Sequence, residues 1–247
     1  MSRTFEAEDW NAYRMAYGEP HRALEAAERE GAVVHAALAA LVEAGALPRA
    51  DYDGERFLAH RAAVAERFEI PWTAITPRMQ RLLYAVNAIA QPQRLVAAGV
   101  FCGNTFISNA GAAVGPGACY EATDLLGVEI RPEEAQRAER NVRRVDPTGV
   151  ARVVADDAIA LCRDYPHPID LLYLDADGGP EKGKGIYYDI LQAALDKLHP
   201  GSLVLAHNSV NCAQRLAHYL AFVRDPAHFA ASVNVILDPE GLEVTVR

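Results

Sequence analysis

The sequence of 247 residues lacks the features that mark several protein classes. Its four cysteines, Cys102, Cys119, Cys162 and Cys212, are scattered and form no CxxC pair. We therefore expect free thiols in a reducing compartment, not a disulfide framework or a zinc site. No apolar run reaches the roughly 20 residues that span a bilayer. The charged stretch 1–13 also lacks the apolar core of a signal peptide, so we expect a cytoplasmic protein.

Positive charge is also scarce. Lys and Arg number 24 against 33 Asp and Glu, which gives a net charge of −9. A chain this acidic is a poor candidate for binding nucleic acid or an anionic membrane. The balance of 51% hydrophobic and 23% charged residues is typical of a globular protein and excludes a disordered or collagen-like chain. The length allows one large domain or two small ones.

The first ninety residues have the composition of helices. Residues 19–46 are rich in Ala, Glu and Arg, and a second helix is predicted over 53–68. Thr76 and Pro77 then have the types expected at an N-cap and at the first helical position. Nearer the N-terminus, Trp10, Tyr13 and Tyr17 are predicted to share one helical face, which would pack in a core or close over a ligand.

After Pro92, short apolar runs alternate with helical stretches. This pattern predicts an α/β fold with a doubly wound, Rossmann-like and mostly parallel sheet. The expected strands are Leu95–Gly99, Leu125–Ile130, Ala151–Val154, Ile169–Asp175 and Ser202–His207, and the expected helices are 104–113, 132–144, 156–164, 185–198 and 210–223. Residues 229–237 and 242–247 flank a turn sequence and should form an antiparallel hairpin, for about seven strands in total.

Polar residues or glycines follow each of the five parallel strands, where ligands bind in a doubly wound sheet. Gly99 and Gly103 allow a ligand to approach the backbone closely. Glu129 is placed to accept hydrogen bonds from hydroxyl groups. The later positions are Asp156, Asp157, Asp175, Asp177, His207 and Asn208. Each has a structural alternative, namely a tight turn or a helix cap; together they favour a ligand site.

Three stretches carry a family resemblance. VAAGVFCGNT at 96–105, GVEI at 127–130 and LLYLDAD at 171–177 resemble class I S-adenosylmethionine-dependent methyltransferases, most closely the O-methyltransferases of the catechol and caffeoyl-CoA type. PGSLVLAHN at 200–208 and the terminal hairpin also fit. The resemblance covers about residues 71–247, and residues 1–70 match only in being helical, as the lids of that family are.

The resemblance implies roles for single residues around the cofactor S-adenosyl-L-methionine. Gly99 and Gly103 would form the loop beneath its methionine part, with Phe101 packed nearby and Thr105 holding the carboxylate. Glu129 would bind the ribose hydroxyls. Asp157, with the adjacent Ala158, would lie at the adenine edge. Asp175, joined by Asp177, would contact the amino end of the cofactor or a metal.

The sequence departs from the family pattern at two places. The acidic residue two positions before the first glycine is replaced by Ala97. The Asp-Asn pair of the metal-dependent members is replaced by His207-Asn208. Because magnesium prefers hard oxygen ligands, we expect no metal site and no strict magnesium requirement.

The candidates for catalysis are His207, Asn208, Lys184 and Tyr187. His207 has the pKa of a general base, although it has the alternative of a hydrogen-bonded histidine at a strand end. Lys184 and Lys182 lie in the glycine-rich loop Gly178–Gly185, where catechol-type members place a lysine. Of Tyr187 and Tyr188, we expect one to pack and one to face the pocket.

These observations predict residues 1–70 as a helical lid or dimerisation segment and residues 71–247 as a cofactor-binding catalytic domain. The predicted function is methyl transfer to a small-molecule acceptor, with oxygen favoured over nitrogen, in a homodimer. One alternative keeps the cofactor but cyclises its aminobutyrate chain to azetidine-2-carboxylate, releasing methylthioadenosine. Another is a module that binds the cofactor without catalysis.

Overall fold

The computed structural model describes residues 3–72 and 75–247, and a single mixed β-sheet lies at its centre. Its strands are β1 (Arg3–Glu6), β2 (Arg94–Ala98), β3 (Asp124–Glu129), β4 (Ala151–Ala155), β5 (Ile169–Leu174), β6 (Leu198–His207), β7 (Ala231–Ile236) and β8 (Leu242–Val246). They are ordered β1-β7-β8-β6-β5-β2-β3-β4 across the sheet. The sequence predicted about seven strands; β1 is the addition.

The strand directions confirm the predicted topology. Strands β2 to β6 pair in parallel, so their carboxyl ends meet at one edge of the sheet. Strand β8 runs antiparallel to both β6 and β7. Strand β1 was not predicted, and it extends the edge by pairing in parallel with β7.

Helices cover both faces of the sheet. They are α1 (Ala27–Glu43), α2 (Gly54–Arg67), α3 (Pro77–Ala90), α4 (Asn104–Ala110), α5 (Pro132–Val145), α6 (Ala158–Asp164), α7 (Gly179–Lys182), α8 (Ile186–Ala194) and α9 (Ala217–Val223). Successive side chains of a strand point to opposite faces. Accordingly, Leu95 and Ala97 of β2 belong to a core with α1 and α3, and Val96 and Ala98 to a core with α8 and α9. In the described part of the chain, no helix is long and apolar enough to cross a membrane.

Two helix starts follow the capping signals of the sequence. The Thr76 hydroxyl accepts a hydrogen bond from the Met79 amide at 3.2 Å, and Pro77 is the first residue of α3. Asp53 caps α2 in the same way, by accepting from the amides of Glu55 and Arg56. These side chains satisfy amides that have no partner within the helix.

Two predicted helices begin at least seven residues later than expected. The helix predicted over 19–46 extends only over Ala27–Glu43, because the Glu25 carboxylate turns inward to bind the Arg78 guanidinium at 2.6 Å. The helix predicted over 210–223 extends only over Ala217–Val223, and a run of turns that begins at Asn208 precedes it.

Residues 7–26, which we call the strap, contain neither helix nor strand, so the predicted helical face of Trp10, Tyr13 and Tyr17 is wrong. Tyr13 is buried with its ring 3.8 Å from the Arg78 guanidinium, whereas Tyr17 is 56% exposed. The physical reason is the fully buried charge of Arg78, which draws in Asp9 at 2.6 Å as well as Glu25. Removing one partner of a buried ion pair costs about 3–5 kcal/mol, so these contacts fasten the strap.

Residues before 71 share their hydrophobic core with the sheet. Val34 and Leu38 of α1 are fully buried and belong to the same cluster as Met79 and Leu95. The role of residues 1–70 as a lid or dimerisation segment stays a prediction.

Candidate active site

A cavity of about 510 Å³ opens at the carboxyl ends of β2, β3, β4 and β5. Ligands bind at this edge of a doubly wound sheet, and the volume is in the range of small-molecule sites. The wall includes these predicted site residues: Gly99, Phe101, Thr105, Glu129, Asp157, Ala158, Asp175, Asp177 and Lys184. Four predicted residues, Gly103, Tyr187, His207 and Asn208, are not part of the wall.

The two glycines shape the loop between β2 and α4. Gly99 has a φ of 80°, and a Cβ there would lie 2.4 Å from the backbone of Ala176. Gly103 has a φ of 91° and is the N-cap of α4. The loop therefore packs tightly against the segment after β5, and both glycines are required by this geometry.

Phe101 is held in an unusual backbone conformation on the cavity wall. Its φ of 49° lies in the left-handed region, which costs a bulky residue about 1–3 kcal/mol. Its amide donates to Glu129 Oε2 at 2.9 Å. Its ring lies 4.8 Å from that of Trp72 and 5.5 Å from the Arg131 guanidinium. The strain is thus maintained by contacts that gather two aromatic rings at the site.

Glu129 is a buried carboxylate at the end of β3, with 5% of its surface exposed. It accepts hydrogen bonds from the backbone amides of Phe101 at 2.9 Å and Arg131 at 3.1 Å. A carboxylate has about four lone-pair sites. Acceptor capacity therefore remains for hydroxyl groups of a ligand in the cavity.

The two acidic residues after β4, Asp156 and Asp157, accept hydrogen bonds from different backbone amides. Asp157 is the N-cap of α6 and accepts from the Ala160 amide at 2.8 Å through Oδ1. Asp156 accepts from the Asp157 amide at 2.8 Å. Both side chains are exposed on the cavity wall. Since Oδ1 of Asp157 is engaged, its other oxygen is the one left for a ligand.

Asp175 and Lys184 form an ion pair on the cavity wall beyond β5. The Lys184 ammonium donates to Asp175 Oδ1 at 2.7 Å and to the Asp175 carbonyl oxygen at 2.8 Å. Burial alone would raise the pKa of Asp175, but the charge and hydrogen bonds of Lys184, together with the nearby His207, outweigh it and lower the pKa to about 2. The carboxylate therefore stays ionised at neutral pH and keeps the lysine in place.

His207 lies beneath this pair and not in the cavity. Its side chain is 2% exposed, and its Nδ1 is 3.5 Å from Asp175 Oδ1 without a well-aligned hydrogen bond. In this position it cannot contact an acceptor in the cavity, which disagrees with its predicted role as general base. What it does is add positive potential behind Asp175 when protonated. The sequence placed His207 at the right strand end, but it does not show burial there.

The other predicted residues have local partners. Tyr187 is fully buried with its hydroxyl 3.4 Å from Asp175 Oδ1, so this tyrosine packs, as one of the pair was expected to do. Burial, followed by the charge of Asp175, raises the pKa of Tyr187 well above its ordinary value. Asn208 has a φ of 65° and donates to Asn211. Asp177 accepts from the Gly179 amide at 2.7 Å and shapes the loop.

Among the wall residues that sequence reasoning missed are Trp72, Arg131 and Asn104, which have aromatic or polar side chains. Trp72 is 44% exposed and lies in the segment between α2 and α3. It belongs to no repeating pattern of apolar residues, so nothing in the sequence singled it out. Arg131 follows Glu129 by two positions, and its proximity to the strand end was the available clue. Asn104 is buried, and its Nδ2 has no hydrogen-bond partner among the described residues.

The two departures from the family pattern have clear structural settings. Ala97 is fully buried in the core of β2, where it faces the helices and not the cavity. Within residues 3–72 and 75–247, no group of three or more His, Cys, Asp and Glu side chains is arranged to hold a metal ion. One Asp175 oxygen, Oδ1, already binds the Lys184 ammonium.

Comparison with known proteins identifies the region around this cavity. Residues 96–209 match a family model described as a methyltransferase domain. The matched stretch begins in β2 and ends just after β6, so it includes the strand ends that form the cavity. A search of the curated proteins found no match.

Solved structures with the same fold include several methyltransferases. SAH-bound PaMTH1 from Podospora anserina is 13% identical, with a TM-score of 0.61, and the match covers 92% of this chain and 99% of that one. The O-methyltransferase TomG from Streptomyces achromogenes, involved in tomaymycin synthesis and solved with SAM, is 17% identical, with coverages of 79% and 90% and a TM-score of 0.57. An O-methyltransferase from Bacillus cereus in complex with SAH is 16% identical, with coverages of 80% and 92% and a TM-score of 0.56.

Identities this low show the fold alone, and the match to the family model adds the type of domain. Both agree with the resemblance found in the sequence. Residues 96–209 of this chain therefore match a methyltransferase domain, and the fold around them is one that solved methyltransferases share.

Proposed function

We propose that the protein transfers the methyl group of S-adenosylmethionine to an oxygen atom of a small molecule, without an obligatory magnesium ion. The observation that carries this proposal is the Lys184–Asp175 pair. It places an ammonium group, 2.7 Å from an ionised carboxylate, on the same cavity wall as Glu129. A fixed positive charge at that position stabilises an acceptor oxygen that has lost its proton.

The cavity supports an extended position for the cofactor along the strand ends. Glu129 accepts from the ribose hydroxyls with the capacity that Phe101 and Arg131 leave free. The second oxygen of Asp157, beside Ala158, is available to an exocyclic amine of adenine. Gly99 and Thr105 line the methionine end, and Gly103 shapes the loop from behind. The rings of Phe101 and Trp72 are available to the sulfonium, since aromatic faces attract cations.

The chemistry that these residues support is an in-line displacement. The acceptor oxygen forms a bond to the methyl carbon while the bond from carbon to sulfur breaks, and S-adenosylhomocysteine leaves. The acceptor hydroxyl releases its proton to solvent water. The Lys184 ammonium stabilises the oxygen anion that remains, and Asp175 holds that ammonium in position. The remaining task is to align the oxygen and the methyl group.

Magnesium does not fit the side chains at this site. Lys184 binds Oδ1 of Asp175, and His207 stands where metal-dependent relatives have a carboxylate. Magnesium prefers several oxygen ligands in octahedral geometry, and a positive ammonium beside it would be repelled. We therefore assign the role of the cation to Lys184.

Product analysis tests the proposal. The protein is incubated with S-adenosylmethionine and either catechol or caffeic acid as hydroxyl-bearing probes, and the products are identified by mass spectrometry. S-Adenosylhomocysteine together with a methylated probe oxygen is the expected result. Turnover that appears only with a nitrogen-bearing probe such as histamine would contradict the choice of acceptor atom.

One observation favours a second candidate reaction. Position 97 holds an alanine where relatives have an acidic residue, so no carboxylate at this position restrains the amino end of the cofactor. That amine is then less restrained and available to attack its own chain, which would give azetidine-2-carboxylate and methylthioadenosine. Release of methylthioadenosine from cofactor alone, without S-adenosylhomocysteine, would replace the first candidate with this one.

Four further features of the protein remain predictions from the sequence. We expect a small-molecule acceptor, no binding of nucleic acid, a cytoplasmic location and a homodimer. Sedimentation analysis of the purified protein checks the last of these.

A further inference from the structure

A second cavity, of about 80 Å³, lies under the strap between α2, α3 and the start of α4. Residues 20–23 of the strap form its cover, and Asn104 lines both this strap cavity and the larger cavity. At about 10–15 Å³ for each water-sized group, the strap cavity holds about five to eight such groups. The space is therefore suited to a ligand with a short chain.

The lining combines an apolar surface with positive charge. Phe57, Val64 and Pro77 provide the apolar part. Arg22 and Arg61 provide guanidinium groups, which form ion pairs with Glu19 and Glu30 outside the lining. None of the described residues that line the strap cavity is acidic. A ligand that matches both properties has a short hydrocarbon part and a negative charge.

Two buried donors on this lining lack partners. Asn104 is 6% exposed, and its side-chain amide nitrogen has no hydrogen-bond partner among the described residues. The same holds for Arg61 Nε, although the other guanidinium nitrogens bind Glu30 and the Pro77 carbonyl oxygen. An unsatisfied buried donor costs about 1–3 kcal/mol, which an accepting ligand would recover.

The cover of the strap cavity is fixed in place before any ligand arrives. Asp9 and Glu25, on either side of residues 20–23, both bind the buried guanidinium of Arg78 at 2.6 Å. On the opposite wall, burial lowers the pKa of His60 to about 4, so its ring is neutral at physiological pH. A preformed site of this kind loses little entropy when a ligand binds.

We propose that the strap cavity binds a short-chain carboxylate of about five to eight non-hydrogen atoms, with its hydrocarbon part on Phe57 and Val64 and its oxygens toward Asn104 and the arginines. Because Asn104 also lines the larger cavity, the occupant would lie next to bound cofactor. The carboxylate is either a methyl acceptor or an effector that is not consumed. This inference does not depend on the acceptor proposed above.

Calorimetry with isovalerate tests the proposal, with the neutral isostere isovaleramide as the matched ligand. Ala65 lines the cavity and is exposed on α2, so Ala65→Trp should block entry without burying the new ring. Ala62→Trp is the control, since Ala62 is exposed on the same helix and is not part of the lining. We expect isovalerate to bind the wild type and Ala62→Trp equally, and Ala65→Trp at least about tenfold more weakly, because the added ring fills the entrance.

The charge requirement is tested separately. Arg22→Gln should weaken isovalerate binding by about threefold, the range of an exposed charge pair, while Arg14→Gln on the same strap should not. Equal binding of isovalerate and isovaleramide, equal binding to the two tryptophan variants, or no binding of isovalerate to the wild type would each overturn the proposal. Given binding, methyl isovalerate formed in the presence of S-adenosylmethionine identifies an acceptor, and its absence identifies an effector.

Discussion

Glu129 is a buried carboxylate and Asp175 a partly buried one, both at strand ends on one cavity, but the groups that hold them differ. Glu129 is fixed mainly by the backbone amides of Phe101 at 2.9 Å and Arg131 at 3.1 Å, with a longer contact of 3.4 Å from Arg131 Nε. Asp175 is fixed by the side chains of Lys184 and Tyr187, with His207 behind it. Backbone partners are supplied by the fold whatever the sequence, whereas side-chain partners can be exchanged one at a time.

This difference separates the constant part of the site from the variable part. Under the proposed function, the end of the cavity near Glu129 would receive the nucleoside, the component common to all methyl transfers. The end near Asp175 carries the Lys184 ammonium, and the chemistry of transfer would depend on that end. Variants at the two carboxylates should therefore affect different measured quantities.

The largest expected effect is at the side-chain end. Lys184→Met should lower the turnover number by about 10²–10³-fold, the usual cost of losing one group that stabilises developing charge. Cofactor affinity measured by calorimetry should change little. Lys182→Met is the control, because Lys182 is exposed and pairs only with Asp189. If the turnover number of Lys184→Met is within about threefold of wild type, Lys184 does not stabilise the developing charge and other groups must do so.

At the backbone-held end, binding is the quantity that should change. Glu129→Gln keeps an acceptor oxygen but loses the charge, so cofactor affinity should fall by about 1.5–3 kcal/mol, or about 10- to 150-fold. Glu133→Gln, an exposed position in the first turn of α5, serves as the control. Unchanged affinity in the calorimeter would remove Glu129 from the cofactor site.

The pH dependence of stability sharpens the comparison further. The pKa of Asp175 is lowered to about 2 in the folded protein, below its ordinary value of 3.8. The resulting stabilisation, about 2 kcal/mol, is present above pH 4 and is lost as the pH falls toward 2. Asp175→Asn should therefore reduce the free energy of unfolding at pH 6 and flatten its decline between pH 4 and pH 2. The free energy of unfolding is measured by denaturant titration at each pH. If it declines equally between pH 4 and pH 2 in both proteins, the stabilising ion pair is contradicted.

The smallest expected effect is that of chelation. Excess EDTA should change turnover by less than about twofold, because an ammonium takes the position at Asp175 that a metal ion would need. Loss of activity in EDTA, restored by added magnesium, would mean that Lys184 leaves Asp175 in the working enzyme.

The sequence predicted those parts of the site that depend on chain order. Strand ends in a parallel sheet converge, so Glu129, Asp157 and Asp175 were placed together without knowing a distance. The burial of His207 was not predictable, because it depends on β8 covering one side of β6. The fold was predictable where apolar residues recur at helical spacing, as in α3. It was not predictable in the strap, because the path of that segment depends on the charge of Arg78, which is distant in sequence.

Strand β1 has a consequence for the order in which the protein is assembled. Arg3 pairs with Val233, a separation of 230 positions, so this edge of the sheet cannot close until almost the whole chain has left the ribosome. Contacts this distant in sequence are slow to form. Until then the outer edge of β7 stays open to other chains, and unpaired edges promote association. We therefore expect aggregation during synthesis to depend on residues 3–6, although they lie far along the sheet from the cavity.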